Sequence, residues 1–310
     1  MEHRLGQITV FCILILVISF PAPCGFAGTA GDFPARVLIT NDNGIDDPKI
    51  IALAQAFAAR TETWVVAPDR DRSGSGAYVS VTSTGELDLE RVDLGQGIRA
   101  YAVDGYPGDC VLVALTGLML DSPPDLVISG INGGANLGIA WIFSGTIGAA
   151  RVAAIAGFPA MAVSGLDLDR SGALESAVDW VVRLASSPSV RNLNAGEYLT
   201  VSLPRSEPNE ILGVKVTDRA PMLQRPVLHF DQESGRWQLR GMKAIGRSVP
   251  IDSDREANTA GFIAVVPMRV DEVHLERLTE WRRTGVDLPS WNANPPQARV
   301  SGSELRSVSP

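Results

Sequence analysis

The sequence predicts an α/β protein built on a doubly wound, mostly parallel β-sheet. Short apolar segments bounded by turn-forming residues alternate with helical patterns as far as about residue 202. This alternation is typical of parallel strands joined by crossover helices. Polar or glycine-rich loops follow several of the apolar segments. Because ligands bind outside the carboxyl ends of the strands in such sheets, these loops predict the position of a site.

The first predicted strand, residues 37–40, ends in the oxygen-rich segment from Asn41 to Gly44. The strand is short and apolar, and the glycine permits a sharp turn. A helix is predicted next, with Asp47 as its cap, Pro48 as its first residue and residues 50–60 as its body. Side-chain oxygens beside a helix N-terminus suit a hard cation together with an anion. An ordinary Asx-turn without a ligand is the competing interpretation.

A second predicted strand, residues 63–68, leads into the charged loop 69–77. Ser73 and the N–H groups of this loop follow a strand's carboxyl end, where they can face the first loop. Alternation and glycines predict hairpin strands, rather than a helix, between residues 79 and 101. A helix is predicted from about Cys110 to residue 120, with Asp109 as its cap.

The predicted strand 124–129 ends in segment 130–138, which holds four glycines and two asparagines. Glycine loses the most backbone entropy on folding, so this density indicates close approach of a ligand to the backbone. A helix of small residues follows, up to about residue 155. Its start, at Ser144, Gly145 and Thr146, offers hydroxyls, N–H groups and the positive end of the helix dipole to a phosphate. A simple serine cap explains the same pattern.

The rest of the chain continues the alternation and then changes. A strand, a helix and a strand are predicted at residues 158–164, 174–184 and 198–202. From residue 213 short β segments predict a ribbon-like extension, at residues 214–217, 227–230 and 237–239. A long strand over residues 262–270 and a helix over residues 273–283 follow. The last residues, 286–310, lack periodicity and are expected to be disordered.

Size and composition narrow the function classes. With 310 residues, 45% of them hydrophobic, the chain can bury a core as one large domain or two small ones. The net charge of −8 disfavours binding of a nucleic-acid polymer through its phosphates, whereas a small phosphorylated substrate needs only local donors. The histidines His3, His229 and His274 lack zinc-site spacing.

The first 27 residues have the pattern of a secretory signal peptide. Arg4 precedes an apolar run from Ile8 to Phe20, and small residues around Ala27 provide a cleavage site. An export to the periplasm or outside the cell is therefore expected, with an uncleaved membrane anchor as the alternative. Cleavage after Ala27 would leave Cys110 as the only cysteine, which excludes an internal disulfide.

The side chains at the strand ends predict the chemistry of the site. Asp42, Asn43, Ser73 and Asn132 are hard oxygen donors, which suit magnesium, manganese or calcium rather than zinc or copper. Such a cation beside a phosphate-binding helix N-terminus indicates hydrolysis of a phosphate ester.

The same segments resemble the SurE family of metal-dependent 5′(3′)-nucleotidases. The matching motifs, in order, are VLITNDNGIDDP at 37–48, VAPDRDRSG at 66–74, GYPGDCV at 105–111, PDLVISGINGGANLG at 124–138, FSGT at 143–146 and GFPA at 157–160. The resemblance implies a Rossmann-like three-layer αβα domain over about residues 36–285, with a β extension in 213–270 that supports homodimers or homotetramers by exchange between subunits.

The resemblance also implies roles for individual residues. It implies that Asp42, Asn43, Ser73 and Asn132 hold magnesium or manganese, and that Asn136, Gly145 and Thr146 lie near the phosphate. Asp42 and Asn43 are then the catalytic pair, and a nucleoside monophosphate or a similar small ester is the substrate. Asn43 replaces the second aspartate usual in the family, so a homologue that binds a phosphorylated ligand without hydrolysing it is the alternative. The family has Met-Glu-Gly where this chain has Arg151, Val152 and Ala153, and Arg151 is a further candidate for binding the phosphate directly.

Overall fold

The computed structural model describes residues 33–95, 97–166 and 170–284. The predicted signal peptide, residues 1–27, and the predicted tail, residues 286–310, lie outside these ranges. The chain divides into a unit that ends at Val270 and a second unit that starts at Asp271. The described part of the second unit contains one long helix, Leu275–Thr284, at the position expected for the terminal helix.

A nine-stranded sheet organises the first unit. In chain order the strands are β1 (Arg36–Thr40), β2 (Glu62–Pro68), β3 (Leu89–Val92), β4 (Ile98–Val103), β5 (Leu126–Asn132), β6 (Ala160–Ser164), β7 (Glu197–Ser202), β8 (Val214–Val216), β9 (Gln224–Asp231), β10 (Arg236–Ala244) and β11 (Ile263–Arg269). The helices are α1 (Pro48–Ala58), α2 (Val81–Thr84), α3 (Pro107–Val113), α4 (Gly145–Ile155), α5 (Ala173–Ala185), α6 (Pro188–Arg191), α7 (Asp254–Thr259) and, in the second unit, α8 (Leu275–Thr284).

The order of the strands confirms the predicted doubly wound α/β fold. The sheet runs β3-β4-β2-β1-β5-β6-β7-β11-β8, while β9 and β10 form a separate antiparallel hairpin. Every adjacent pair in the run β4-β2-β1-β5-β6-β7 is parallel, whereas β3 pairs antiparallel with β4 and β11 pairs antiparallel with β7. The chain goes from β1 outward to β2 and later returns to the other side of β1 with β5. This reversal creates the crevice in which sheets of this kind bind ligands.

Helices cover both faces of the sheet. On one face α1 and α5 pack through an apolar cluster that includes Ile39, Leu53, Phe57 and Val181. On the other face α3 and α4 pack through a cluster that includes Leu38 and Ile147. Neighbouring residues of β1 thus point into opposite layers, as the two-residue period of a strand requires. The central strands are buried on both faces, which explains why they are continuous apolar runs rather than alternating ones.

The region between β2 and β5 differs from the sequence-based expectation in two places. A short helix, α2, precedes the predicted hairpin of β3 and β4, because the buried Asp109 carboxylate accepts hydrogen bonds from the N–H groups of Ser80 and Val81 at 3.0 and 2.9 Å. The next helix, α3, begins at Pro107 rather than Cys110. Asp109 is therefore not its cap but lies in its first turn, where it accepts from the N–H of Tyr106.

The predicted β extension is smaller than expected. The segment Val214–Val216 is not part of the ribbon but joins the main sheet, where it pairs in parallel with β11. This segment, β8, lies on the outer side of β11, whose other side pairs with β7. It therefore forms the edge of the sheet. The separate ribbon consists of β9 and β10 alone. No helix within the described ranges combines the length and apolar character needed to cross a membrane.

The buried thiol of Cys110 gives a first test of the packing. Burial raises the pKa of this thiol well above its usual value, and the neighbouring Asp109 carboxylate raises it further. The reactive species is the thiolate, so iodoacetamide at pH 8 is expected to leave Cys110 unmodified in the folded protein and to modify it in urea. Peptide mass spectrometry measures both. Rapid modification of Cys110 without denaturant would contradict the buried position of α3.

Candidate metal centre

The turn after β1 is held by hydrogen bonds from the side chain of Asn41. The Asn41 amide donates to the carbonyl of Gly44 at 2.8 Å and accepts from the Gly44 N–H at 3.2 Å. Gly44 has φ of +107°, and a Cβ there would lie 3.1 Å from the backbone of Arg70. Glycine is therefore required both by its backbone conformation and by the close approach of the loop after β2. The turn brings residues 42 and 43 to the carboxyl edge of the sheet.

Asp42 is the buried carboxylate of this corner. Its Oδ1 accepts from the Thr146 hydroxyl at 2.8 Å, and its Oδ2 accepts from the Thr146 N–H at 3.1 Å. Its main-chain carbonyl accepts from the N–H of Arg72 at 2.8 Å. Burial raises the pKa of the Asp42 carboxyl above its usual value, and the hydrogen bonds from Thr146 offset part of this rise. The first turn of α4 and the loop after β2 therefore both meet at Asp42.

Two further oxygens beside Asp42 lack partners. The Oδ1 of Asn43 and the Oγ of Ser75 are buried and have no hydrogen-bond partner within the described residues. A Cβ built on Gly145 would lie 2.7 Å from the Ser75 Oγ and 2.8 Å from the Cβ of Asp42, so glycine is needed where α4 begins. Buried oxygens without a donor are costly, and a bound cation or an ordered water satisfies them. This donor set fits a hard divalent cation.

The other predicted metal ligands lie on neighbouring strand ends. Ser73, in the loop after β2, is exposed, and its hydroxyl donates to Asp71 at 2.6 Å. Asn132 ends β5, next to β1 in the sheet, and its amide nitrogen donates to the carbonyl of Gly134 at 2.7 Å. Within the described residues no hydrogen bond joins Asn132 or Ser73 to Asp42. The sheet order brings both to the same edge as Asp42, with side-chain oxygens that a cation can bind.

The predicted phosphate-binding residues divide into two groups. Ser144 caps α4, and its hydroxyl accepts from the N–H of Ile147 at 3.1 Å. Thr146 gives both its hydroxyl and its N–H to Asp42, so Gly145 is the position at the helix start that remains for an anion. The second group is Asn136, whose amide donates to the Ser164 hydroxyl at the end of β6 at 2.8 Å.

Other charged groups near the motifs are already engaged. Asp47 caps α1 through its contact with the Lys49 N–H at 2.8 Å and also forms an ion pair with the Lys49 ammonium at 2.7 Å. The Arg151 guanidinium lies over the ring of Trp141, 5.3 Å from its centre. Across residues 33–95, 97–166 and 170–284 no three His, Cys, Asp or Glu side chains are grouped to hold a metal. A cation here would thus be held by one buried carboxylate with amide and hydroxyl oxygens.

Two residues, Ser75 and Asp254, support the loops around Asp42 although the sequence pattern does not indicate them. Ser75 lies in the same serine-glycine loop as Ser73, and only the fold shows that it, too, reaches Gly145 and Asp42. Asp254, at the start of α7, accepts from the N–H groups of Gly138 and Ala220 at 2.7 and 2.9 Å. It thereby anchors the glycine-rich loop after β5 from a residue far along the chain. No local pattern in the sequence signals this contact.

Comparison with known proteins places this geometry in a family. The family model described as Survival protein SurE matches residues 37–224. The chain belongs to the SurE family. A 5'-nucleotidase SurE 1 of Burkholderia lata is 37% identical over 259 residues, which cover 80% of this chain and 95% of that relative. A 5'-nucleotidase SurE of Xanthomonas euvesicatoria pv. vesicatoria is 39% identical over 254 residues, covering 78% and 93%.

A solved SurE structure supports the same fold. The crystal structure of the SurE protein from Aquifex aeolicus superposes with a TM-score of 0.68 at 28% sequence identity. It covers 80% of this chain and 98% of that one. The family resemblance drawn from the sequence motifs is therefore confirmed, and so is the Rossmann-like α/β architecture.

The hydrogen bond between Thr146 and Asp42 predicts a pH effect. The Thr146 hydroxyl lowers the pKa of Asp42, so Thr146→Val should raise that pKa and delay ionisation of the carboxyl to higher pH. A cation needs the ionised carboxylate. The acid midpoint of Mn²⁺ binding is therefore expected to move to higher pH in Thr146→Val and to stay in place in Thr146→Ser, as titrations at several pH values would measure. An unchanged midpoint in the valine variant would contradict the role of this bond.

Proposed function

We propose that the protein is a divalent-cation-dependent 5′-nucleotidase that hydrolyses nucleoside monophosphates or similar small phosphate esters. The observation that carries this proposal is the buried Asp42 carboxylate, held by Thr146 beside the unpartnered oxygens of Asn43 and Ser75. The relatives named 5'-nucleotidase SurE support the same reaction. They give no support to the alternative of a family member that binds without hydrolysis.

In this proposal the residues have distinct tasks. Asp42, Asn43, Ser73 and Asn132 would hold Mg²⁺ or Mn²⁺, which when bound would supply charge stabilisation at the phosphoryl group and a more acidic water. Thr146 keeps the Asp42 carboxylate in one orientation through two hydrogen bonds. The start of α4 at Gly145 and the amide of Asn136 bind phosphate oxygens, because N–H groups at a helix N-terminus have no helical acceptor.

A substrate panel tests the reaction. Phosphate release is measured with 5′- and 3′-nucleoside monophosphates, and with a sugar phosphate and a simple aryl phosphate, in Mg²⁺, in Mn²⁺ and in EDTA. We expect release from nucleoside monophosphates with a cation and none in EDTA. Release that is equal for every ester would contradict a nucleotidase, and release that EDTA does not reduce would contradict the cation.

We also propose that the protein forms homodimers or homotetramers through the hairpin of β9 and β10. Large apolar side chains are exposed on this hairpin: Leu228, Phe230, Trp237, Leu239 and Met242. An apolar patch of this kind marks a protein–protein contact. Light scattering coupled to gel filtration measures the mass, and a monomer at micromolar concentration would contradict the proposal.

The export proposed for the chain rests on the sequence pattern of residues 1–27.

A further inference from the structure

The proposed cation site around Asp42, Asn43 and Ser75, called the cation corner below, carries less negative charge than a divalent cation requires. Asp42 is its one buried carboxylate, and Asn43, next to it, carries an amide. A divalent cation in a partly buried position is stabilised by nearby negative charge, and a single carboxylate neutralises only half of its charge. A second carboxylate within reach of the corner would correct this imbalance. The loops around the corner contain several candidates.

Most of these carboxylates are already paired with cations. Asp47 is bound to Lys49. Asp69 and Asp104 form ion pairs with the guanidinium groups of Arg70 and Arg72, including contacts from Asp104 at 2.7 and 2.5 Å. Both arginines are therefore shared between Asp69 and Asp104. Their negative charges are thus compensated within the loops.

Asp71 differs from these neighbours. Its Oδ1 accepts from both the N–H and the hydroxyl of Ser73, at 2.8 and 2.6 Å. Within the described part of the chain no ion pair joins Asp71 to a lysine or an arginine. The adjoining residue, Arg72, donates its N–H to the carbonyl of Asp42, so the backbone beside Asp71 is tied to the corner.

We propose that Asp71 supplies the second negative charge of the cation site, from the loop after β2. It acts as a positioning residue for Ser73, because a hydroxyl whose proton is given to Asp71 turns its lone pairs to the cation. Its own charge offsets the second positive charge of the ion. This inference rests on the proposed function, and it assigns to the loop after β2 a task that Asn43 cannot perform.

Direct measurement of Mn²⁺ binding tests the inference without reference to activity. The free Mn²⁺ signal in electron paramagnetic resonance gives the dissociation constant for the wild-type protein and for Asp71→Asn. We expect affinity to fall by about tenfold or more in Asp71→Asn, because an uncompensated charge interacts strongly at the effective dielectric of such a site. Asp46→Asn is the matched control, since Asp46 is an exposed carboxylate near the same corner.

A rescue variant separates charge from folding. In Asp71→Asn combined with Asn43→Asp, a carboxylate returns beside Asp42, and Mn²⁺ affinity is expected to return to within about threefold of the wild-type value. Circular dichroism melting of each variant shows that the fold is kept. Asn43→Asp alone is measured beside it, and its gain in affinity should be smaller than the gain in the Asp71→Asn background; equal gains would contradict charge compensation by Asp71.

The outcomes are distinct. Unchanged affinity in Asp71→Asn, an equal loss in Asp46→Asn, or failure of the double variant to recover affinity would each overturn the inference. An Asp42→Asn variant serves as a separate arm. If it kept full Mn²⁺ affinity, the cation corner itself would be misplaced and the proposed function would fail with it. Loss of binding in Asp42→Asn with no change in Asp71→Asn would overturn the inference alone.

Discussion

Replacing Asp42 with alanine is expected to lower phosphate release from a nucleoside monophosphate by about a thousandfold or more. Asp42 is the one buried carboxylate at the switch point between β1 and β5, and the start of α4 holds it in place through Thr146. Removing it takes away the principal anionic ligand of the proposed cation. The measurement is steady-state phosphate release at saturating Mn²⁺.

A matched control excludes a general effect of charge. Asp121 is an exposed carboxylate before β5, at the opposite edge of the sheet from the cation corner. Asp121→Ala changes the net charge equally and should retain wild-type turnover. Near-wild-type activity of Asp42→Ala, with Asp121→Ala unchanged, would show that the site lies elsewhere.

Replacing Gly148 with alanine is expected to destabilise the protein by about 3 kcal/mol, a large effect for one methyl group. A Cβ on Gly148 would lie 2.0 Å from the carbonyl oxygen of Gly76 and 2.4 Å from its carbon. Both contacts are with backbone, so the loop after β2 must move away from α4. Urea unfolding measures the change in the free energy of unfolding.

Gly117 provides the opposite control. It lies in the π-helical turn Ala114–Leu118, and a Cβ there would meet no heavy atom within 4 Å beyond its chain neighbours and the backbone of its own helix. Gly117→Ala should therefore stabilise the protein by about 0.5 to 1 kcal/mol, since alanine loses less backbone entropy in a helix. Equal effects of the two substitutions would contradict the close packing of the loop on α4.

The same packing connects stability to the site. Gly76 belongs to the loop that carries Ser73 and Ser75, so a displaced loop moves these hydroxyls away from Asp42. Any Gly148→Ala protein that folds is therefore expected to bind Mn²⁺ more weakly as well.

The elements nearest the site were predictable because their signals are local. The short apolar run of β1, the cap at Asp47 and the cap at Ser144 all appear where the sequence predicts them. The predicted start of α3 was wrong because Asp109 resembles a cap but accepts bonds from Ser80 and Val81, at the start of the short helix α2. The contact between Asp42 and Thr146, 104 residues apart, depends on the whole sheet order.

The contributions of Ser75 and Asp71 were not predictable for a related reason. Both lie in one polar loop, where several side chains could bind a cation and no periodicity shows which of them face the site. The path of this loop depends on the close approach of Gly76 to Gly148 and of Ser75 to Gly145, which the folded structure alone shows. The edge position of β8 likewise follows from the unpaired side of β11, which is a property of the folded sheet.

Cation-dependent turnover of a mononucleotide decides whether the protein is the metal-dependent nucleotidase proposed above. Phosphate release from 5′-AMP is measured for the metal-free protein, after addition of Mn²⁺, and again after excess EDTA. We expect no release at first, release that rises to saturation with Mn²⁺, and loss of release with EDTA. Full turnover by the metal-free protein, or no turnover with Mn²⁺ or Mg²⁺ bound at Asp42, would contradict it.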